Sequence, residues 1–380
     1  MMRIESLFIK DLRVIQALEF EPVRGVNVIT GNNGAGKTSI LEAIFLLGNG
    51  RTFRHQEAGS LVRNGTASAI IGSRLVFSSG RKSSLGIKRA SKGFTARQDG
   101  KRIKRRSDLV RALPLQLLFP ASHELIEKGP ELRRRFLDQG LFHVEQSYHQ
   151  LSLEYAKALK QRNAALRIGD LSLARSFSSQ LASSGEGLSL LRKQFVEEIE
   201  QELLRILPRF NFNRDVKLGI RKGWRGEKLL DALHRNEKTD LKMGFTTTGC
   251  HRAELTLTLE GALASRVLSR GEQKLLVYAL TFAQLNRLID QGDEPPILLI
   301  DDFAAEFDAE RMELIKEYLV ELPVQIFLTN ISADPFKSEQ PGVFHVEQGR
   351  MATRKEVYLE KSRWSDRDKD APSFSITKSD

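Results

Sequence analysis

Eight residues near the N-terminus, Gly31-Asn32-Asn33-Gly34-Ala35-Gly36-Lys37-Thr38, constrain this chain more than anything else in it. A glycine loop ending in Lys-Thr can wrap backbone N–H groups round phosphate oxygens. Glycine permits close approach, Lys37 brings a point charge to the outer phosphates, and the Thr38 hydroxyl can ligate Mg²⁺. The flanks agree with this reading. Val26 to Thr30 is a short apolar run between Gly25 and Gly31, which predicts a buried strand. After the loop, Ile40, Leu41, Ile44, Phe45 and Leu47 recur at helical spacing, with Gly48 as the expected C-terminal cap. The expected phosphate-binding set is Gly31, Asn32, Asn33, Gly34, Ala35, Gly36, Lys37, Thr38 and Ser39.

Two later segments add chemistry of the same kind. Pro296-Ile297-Leu298-Leu299-Ile300-Asp301-Asp302 reads as a buried strand ending in two carboxylates. Such a pair can hold Mg²⁺ through Asp301 and aim a water at a terminal phosphate through Asp302. An acid at a strand end is also commonly a helix cap or loop ligand, and for Asp302 both readings stand. Leu268-Ser269-Arg270-Gly271-Glu272-Gln273-Lys274 opens an apolar-faced helix, with Ser269 and Glu272 spaced as a capping box. That is either a plain cap or a second phosphate receptor, made from the Ser269 hydroxyl and the Gly271 amide at a helix N-terminus. Two receptors so far apart in one chain suggest a nucleotide held between them.

Composition narrows the class. A chain of 380 residues, 41% hydrophobic and 28% charged, is globular and long enough for two or three domains. Its 59 Lys and Arg exceed 48 Asp and Glu, a net +11 that favours polyanion partners. The excess is local. Arg81 to Arg106 holds eleven Lys or Arg and one acid, Asp99. That stretch is either a solvated hairpin face or a contact to duplex backbone, for which Lys101, Arg102, Lys104, Arg105 and Arg106 are the candidates. No aromatic ladder suggests single-strand stacking. The single cysteine, Cys250, excludes an intramolecular disulfide. The longest apolar stretch, Leu275 to Ala283, is too short for a bilayer span, and Glu5, Lys10 and Asp11 break any signal-peptide core. A cytoplasmic location is expected.

The middle of the chain changes character. Leu137, Leu141, Val144, Tyr148, Leu151, Tyr155 and Ala158 recur at alternating four- and three-residue steps, and a second helical pattern runs from Leu188 to Ile206. Joined near Gly169 and Asp170, they predict antiparallel helices, either a projecting arm or the core of a helical subdomain. The expected division is 1–128 for the first part of an α/β lobe with an antiparallel β region from about Leu61 to Phe119. An inserted helical lobe follows at 129–245, then the second α/β half at 246–360, and a polar tail at 361–380.

The phosphate loop, the Ser269-Arg270-Gly271 signature, the strand ending in Asp301 and Asp302, and Glu306-Phe307-Asp308 together resemble ATP-binding-cassette ATPases of the SMC type. The resemblance implies an α/β ABC-type ATPase head with a phosphate loop, an antiparallel β subregion and an inserted coiled-coil-like helical lobe. It implies that Lys37, Thr38 and Asp301 bind ATP and Mg²⁺, and that Asp302 replaces the usual catalytic glutamate and turns over slowly. Ser269 and Gly271 would contact the γ-phosphate held by a second copy, with Asp308 in the D-loop, so ATP would drive homodimerisation. Further segments narrow the likeness to the bacterial branch serving DNA replication and repair. These are Gly50-Arg51-Thr52-Phe53-Arg54, Gly129-Pro130 with Arg133, Arg134, Phe136, Leu137 and Asp138, and Gln161-Arg162-Asn163. That branch implies duplex and gapped DNA as partner, with mediator proteins that load a recombinase. Two segments depart from its pattern: Cys250, Ala253 and Glu254 stand in a usual Gly-Pro-His-Arg-Asp-Asp run, and Ser122-His123-Glu124 is unusual. The alternatives are a transporter's ATPase subunit, against which the long helical insertion argues, and a nucleotide-gated DNA scaffold that does not hydrolyse.

Overall fold

The computed structural model describes residues 1–54, 61–90, 93–303, 307–330, 336 and 341–352. The chain divides into two units, Met1–Pro120 with Glu294–Asp380, and Ala121–Asp293. Glu306 and the 361–380 tail lie outside the described residues.

The first unit holds two six-stranded sheets. One runs in the order Arg350–Ala352, Gly342–Glu347, Val26–Thr30, Ile326–Asn330, Ile297–Ile300 and Leu115–Leu118. All its pairings are parallel except the terminal hairpin. Every residue of Ile297–Ile300 and Ile326–Asn330 is buried, as parallel strands covered on both faces require. Helix Lys37–Asn49 is buried from Ser39 through Gly48. Gly48, expected as its cap, lies inside it instead. A Cβ there would meet the Leu113 carbonyl oxygen at 2.6 Å, and the cap is Gly50 at φ 62°.

The second sheet is antiparallel, in the order Ile15–Phe20, Arg3–Leu12, Ser68–Val76, Lys82–Ala90, Phe94–Gln98 and Lys101–Ile103. The expected antiparallel region is there, but its first two strands precede Val26 and its expected end, Leu115–Leu118, joins the parallel sheet. Ile71, Ile87, Ala96 and Ile103 sit opposite one another across four strands, and the first three are buried. The alternate positions, such as Lys88, Arg97 and Arg102, are exposed. Strict alternation of this kind leaves one face to solvent.

The second unit contains helices Pro130–Val144, Gln146–Arg167, Leu171–Ser176, Ser178–Ile206 and Arg270–Gln291, with a small antiparallel sheet of Val216–Arg221, Glu254–Leu259 and Ala262–Leu263. The seven-residue pattern from Leu137 to Ala158 does not form one helix. It breaks at Glu145, whose carboxylate accepts a 3.0 Å hydrogen bond from the Ser147 N–H and caps the next helix. Gln146–Arg167 and Ser178–Ile206 form the expected helical pair, and a buried Arg162–Asp240 ion pair at 2.8 Å ties the first of them to helix Glu237–Met243. The insertion is not purely helical, because Val216–Arg221 pairs with Glu254–Leu259. That pairing, with helix Arg270–Gln291 packed on Ser178–Ile206, draws residues 246–293 into this unit. The division therefore falls at 121 and 293, and the signature segment groups with the helical lobe. Arg133 and Arg134, whose role the sequence left open, brace this unit. Arg133 Nε donates to Glu254 at 3.0 Å, and Arg134 donates to the Ala253 carbonyl at 2.8 Å. Glu254, one of the departures, thus serves as an ion-pair partner.

Candidate nucleotide site

The parallel strands end at one edge, so the segments following Val26–Thr30, Ile297–Ile300 and Leu115–Leu118 come together there. The glycines of the loop are required sterically. Gly31 has φ 145° and a Cβ would strike the Val346 carbonyl oxygen at 2.3 Å, while Gly36 has φ 113° with Val14 at 3.1 Å. Gly36 caps helix Lys37–Asn49 without a side chain, and the first turn carries no acid. The helix therefore offers its N-terminal N–H groups, and its positive dipole end, to an anion.

Lys37 folds back over the loop, its amine donating to the carbonyls of Gly31 at 2.6 Å and Asn32 at 3.1 Å. Partial burial holds its pKa below the usual lysine value, and nearby Asp302 and Asp301 oppose that shift. The Thr38 hydroxyl donates to Asp301 Oδ1 at 3.0 Å. Thr329, at the end of the neighbouring strand, donates to the same oxygen at 2.8 Å and accepts the Asp302 N–H at 2.7 Å. Asp301 is 7% exposed, and burial pushes its pKa up against the pull of those two hydroxyls. Asp302 adopts φ 59° and its carboxylate makes no hydrogen bond among the described residues.

These groups surround a pocket of about 390 Å³. Of the expected set, Asn32, Asn33, Gly34, Gly36, Lys37, Thr38, Ser39, Asp301 and Asp302 line it. Gly31 and Ala35 are buried beneath the loop and shape it instead. Arg13, Val14, Arg54, Pro120 and Thr329 also line it and were outside the expected phosphate-binding set. Arg13 sits at φ 53° in the turn between the first two strands, and its Nε donates to the buried Glu42 at 2.9 Å. Only the neighbouring Gly50-Arg51-Thr52-Phe53-Arg54 segment pointed towards Arg54.

The remaining predicted residues lie elsewhere. Ser269 and Gly271 belong to the second unit, where Ser269 is exposed and caps helix Arg270–Gln291 in a full capping box with Glu272. Asp308 is exposed and caps helix Ala309–Glu321 by accepting from the Arg311 N–H at 2.9 Å. Lys101, Arg102, Lys104, Arg105 and Arg106 are exposed on and after the last strand of the antiparallel sheet. None of the five pairs with a carboxylate among the described residues. Arg106 instead lies over the Phe94 ring at 5.7 Å. No helix among the described residues is long and apolar enough to cross a membrane.

Fold and site together define an SMC-type ATPase head. Residues 3–352 match the family model described as the RecF/RecN/SMC N terminal domain. The solved structure of the recombination mediator protein RecF-ATP in the RecFOR pathway superposes with a TM-score of 0.83 at 23% identity, over 92% of this chain and 97% of that one. An Smc head domain from Pyrococcus furiosus superposes with a TM-score of 0.60 at 16% identity, covering 92% and 95%. In sequence, the DNA replication and repair protein RecF of Aliivibrio salmonicida is 34% identical across 92% of this chain and 99% of its own length. That of Shewanella baltica is 35% identical over the same shares. The chain belongs to the RecF family of DNA replication and repair proteins.

Proposed function

We propose that this chain is a cytoplasmic, ATP-gated DNA clamp that closes as a homodimer on ATP and Mg²⁺ and opens after slow, DNA-dependent hydrolysis. The observation that carries the reading is the Thr38–Asp301 contact beneath an uncapped helix N-terminus. Asp301 is a buried carboxylate, and the Thr38 hydroxyl 3.0 Å away would complete one side of a metal site. Among the described residues no cluster of three His, Cys, Asp or Glu could hold a metal by itself. This suits Mg²⁺, which takes one or two protein ligands and draws the rest from phosphate and water. Bound there, the ion would neutralise charge on the outer phosphate oxygens. Lys37 would exchange its loop carbonyls for phosphate oxygens. Asp302, free of hydrogen bonds at its carboxylate, would hold the attacking water and accept its proton, while Thr329 fixes its backbone.

The exposed Ser269 and the half-buried Gly271 would reach the γ-phosphate held by a second copy, with Asp308 beside them. DNA would be held without base readout through Lys101, Arg102, Lys104, Arg105 and Arg106, five exposed cations with no carboxylate partners among the described residues. The RecF membership supports a role at gapped DNA in repair, replication restart and the SOS response, with RecR and RecO as mediators for loading RecA.

Sizing by light scattering with a non-cleavable ATP analogue and Mg²⁺ tests the clamp. The expected result is a dimer for the native chain and a monomer for Lys37→Ala. A native chain that stays monomeric at saturation, duplex included, overturns the reading. Charge reversal of the five cations is expected to lower duplex affinity at least about tenfold and to flatten its salt dependence. An unchanged salt slope removes them from the interface.

A further inference from the structure

The second unit carries a cleft of about 1220 Å³ that the phosphate chemistry leaves unused. It exceeds the roughly 300–1,000 Å³ typical of small-molecule pockets, so an extended occupant suits it better than a metabolite. The cleft forms where strand Val216–Arg221 runs into the segment Lys222 to Glu227, beside helices Ser178–Ile206 and Leu229–Arg235.

Three observations define what would fit. First, Lys222, Arg225, Arg235 and Arg252 line it, and among the described residues none of them meets a carboxylate. Lys222 donates only to the Glu227 carbonyl at 3.3 Å and Arg235 to the Arg225 carbonyl at 2.7 Å, while Arg252 lies over Phe245. Second, Trp224 is half-buried in the wall with the Lys222 amine 5.0 Å from its ring, and Leu190 is 57% exposed. Apolar surface thus lies among unpaired cations. Third, Val216–Arg221 is an edge strand, paired among the described residues with Glu254–Leu259 alone. The Leu218 N–H on its outer side is taken by Glu200 at 2.7 Å. Ile220, two residues further on, turns its backbone the same way by strand alternation, and it lines the cleft.

We propose that this cleft docks an extended acidic peptide segment of a partner protein. The edge at Ile220 supplies backbone hydrogen bonds, the four cations read the acidic side chains, and Trp224 with Leu190 seats an apolar residue. A phosphodiester strand would satisfy the cations, but it offers no amides to a strand edge. Its lining shares no residue with the nucleotide pocket.

The test uses the full chain carrying Trp364→Phe, which leaves Trp224 as its only tryptophan. The probe is a twelve-residue peptide of alternating Glu and Leu, against a Lys and Leu counterpart and a dT12 oligonucleotide. The expected result is a saturable shift of Trp224 emission with the acidic peptide alone, undisturbed by dT12. Lys222→Glu with Arg225→Glu is expected to weaken binding by about tenfold or more at an unchanged melting temperature. If that pair lowers the melting temperature, Arg225→Gln alone is expected to weaken binding about threefold. Absence of the shift, displacement by dT12, or charge variants that bind as before overturns the proposal.

Discussion

The two helix N-termini proposed to meet phosphate are built in opposite ways. Helix Lys37–Asn49 begins at a left-handed glycine, with no side-chain cap and no acid in its first turn. Helix Arg270–Gln291 begins at Ser269 in a complete capping box, with Glu272 accepting from the Ser269 N–H at 2.9 Å and from its hydroxyl at 2.7 Å. Arg214 adds a 3.6 Å ion pair to Glu272. One end leaves its donors for an outside anion, and the other has satisfied two of its own, the Ser269 and Glu272 N–H groups. In the proposed reading the first is a resident phosphate receptor that gives up stability for function. The second is a finished helix cap, and in the proposed dimer it would meet phosphate only by exchanging part of its own box. A switch needs such asymmetry: one site binds tightly, and the other adds a contact weak enough to be released.

The comparison breaks hardest at the first receptor. Asp301→Asn is expected to cut Mg²⁺-dependent phosphate release roughly a thousandfold, as loss of a group that serves the transferring phosphoryl should. Because Asp301 is buried with its pKa pushed up, its charge costs stability whenever it is ionised. Its contribution to folding is complete below the ordinary 3.8 and lost as pH rises through the folded value. At neutral pH the same substitution should therefore raise the melting temperature, with the gain vanishing below about pH 4. A variant that loses both activity and stability would mean that Asp301 is structural, and the asymmetry would disappear.

Much of this was legible in the residues themselves. The octapeptide placed Lys37 and Thr38, and the apolar run into Asp301 placed the carboxylates, because parallel strands must lay their following loops along one edge. Thr329 was not assigned a role, since a threonine inside a β-branched apolar strand carries no local sign that its hydroxyl reaches Asp301. Arg13 and Val14 were hidden for another reason: they lie 17 residues or more before Gly31 in sequence and join the site only through tertiary pairing. The seven-residue pattern misled across Glu145, where periodicity continues although the backbone stops. The boundary at 293 was out of reach, because it depends on the pairing of Val216–Arg221 with Glu254–Leu259 across the insertion.

A pair of glycine substitutions sharpens the contrast further. Gly36→Ala forces a side chain onto φ 113° and toward Val14, and it should cost about 1–3 kcal/mol in thermal or urea unfolding. Gly271 sits in the first turn of Arg270–Gln291 without a positive φ, so Gly271→Ala should be neutral or gain up to about 1 kcal/mol from helix propensity. That more stable variant is nonetheless expected to lose ATP-dependent dimer on sizing, because the methyl obstructs phosphate approach to the amide. A Gly271→Ala chain that dimerises like the native one would reduce the second terminus to a cap.

The smallest expected effect isolates the capping box itself. Hydrogen bonds from Ser269, with Arg214 nearby, hold the Glu272 carboxyl below its ordinary 4.5. A carboxyl depressed in the folded state stabilises above that ordinary value, and the benefit is lost as pH falls from 4.5 through the folded value. Glu272→Gln should therefore melt slightly below the native chain at pH 7 and level with it in strong acid, the reverse of Asp301→Asn. Removing the carboxylate also lifts its competition for the Ser269 hydroxyl, so less ATP analogue should be needed for half-maximal dimer formation. If the variant instead needs more, Glu272 helps phosphate bind rather than competing with it, and the two termini differ in degree rather than in kind.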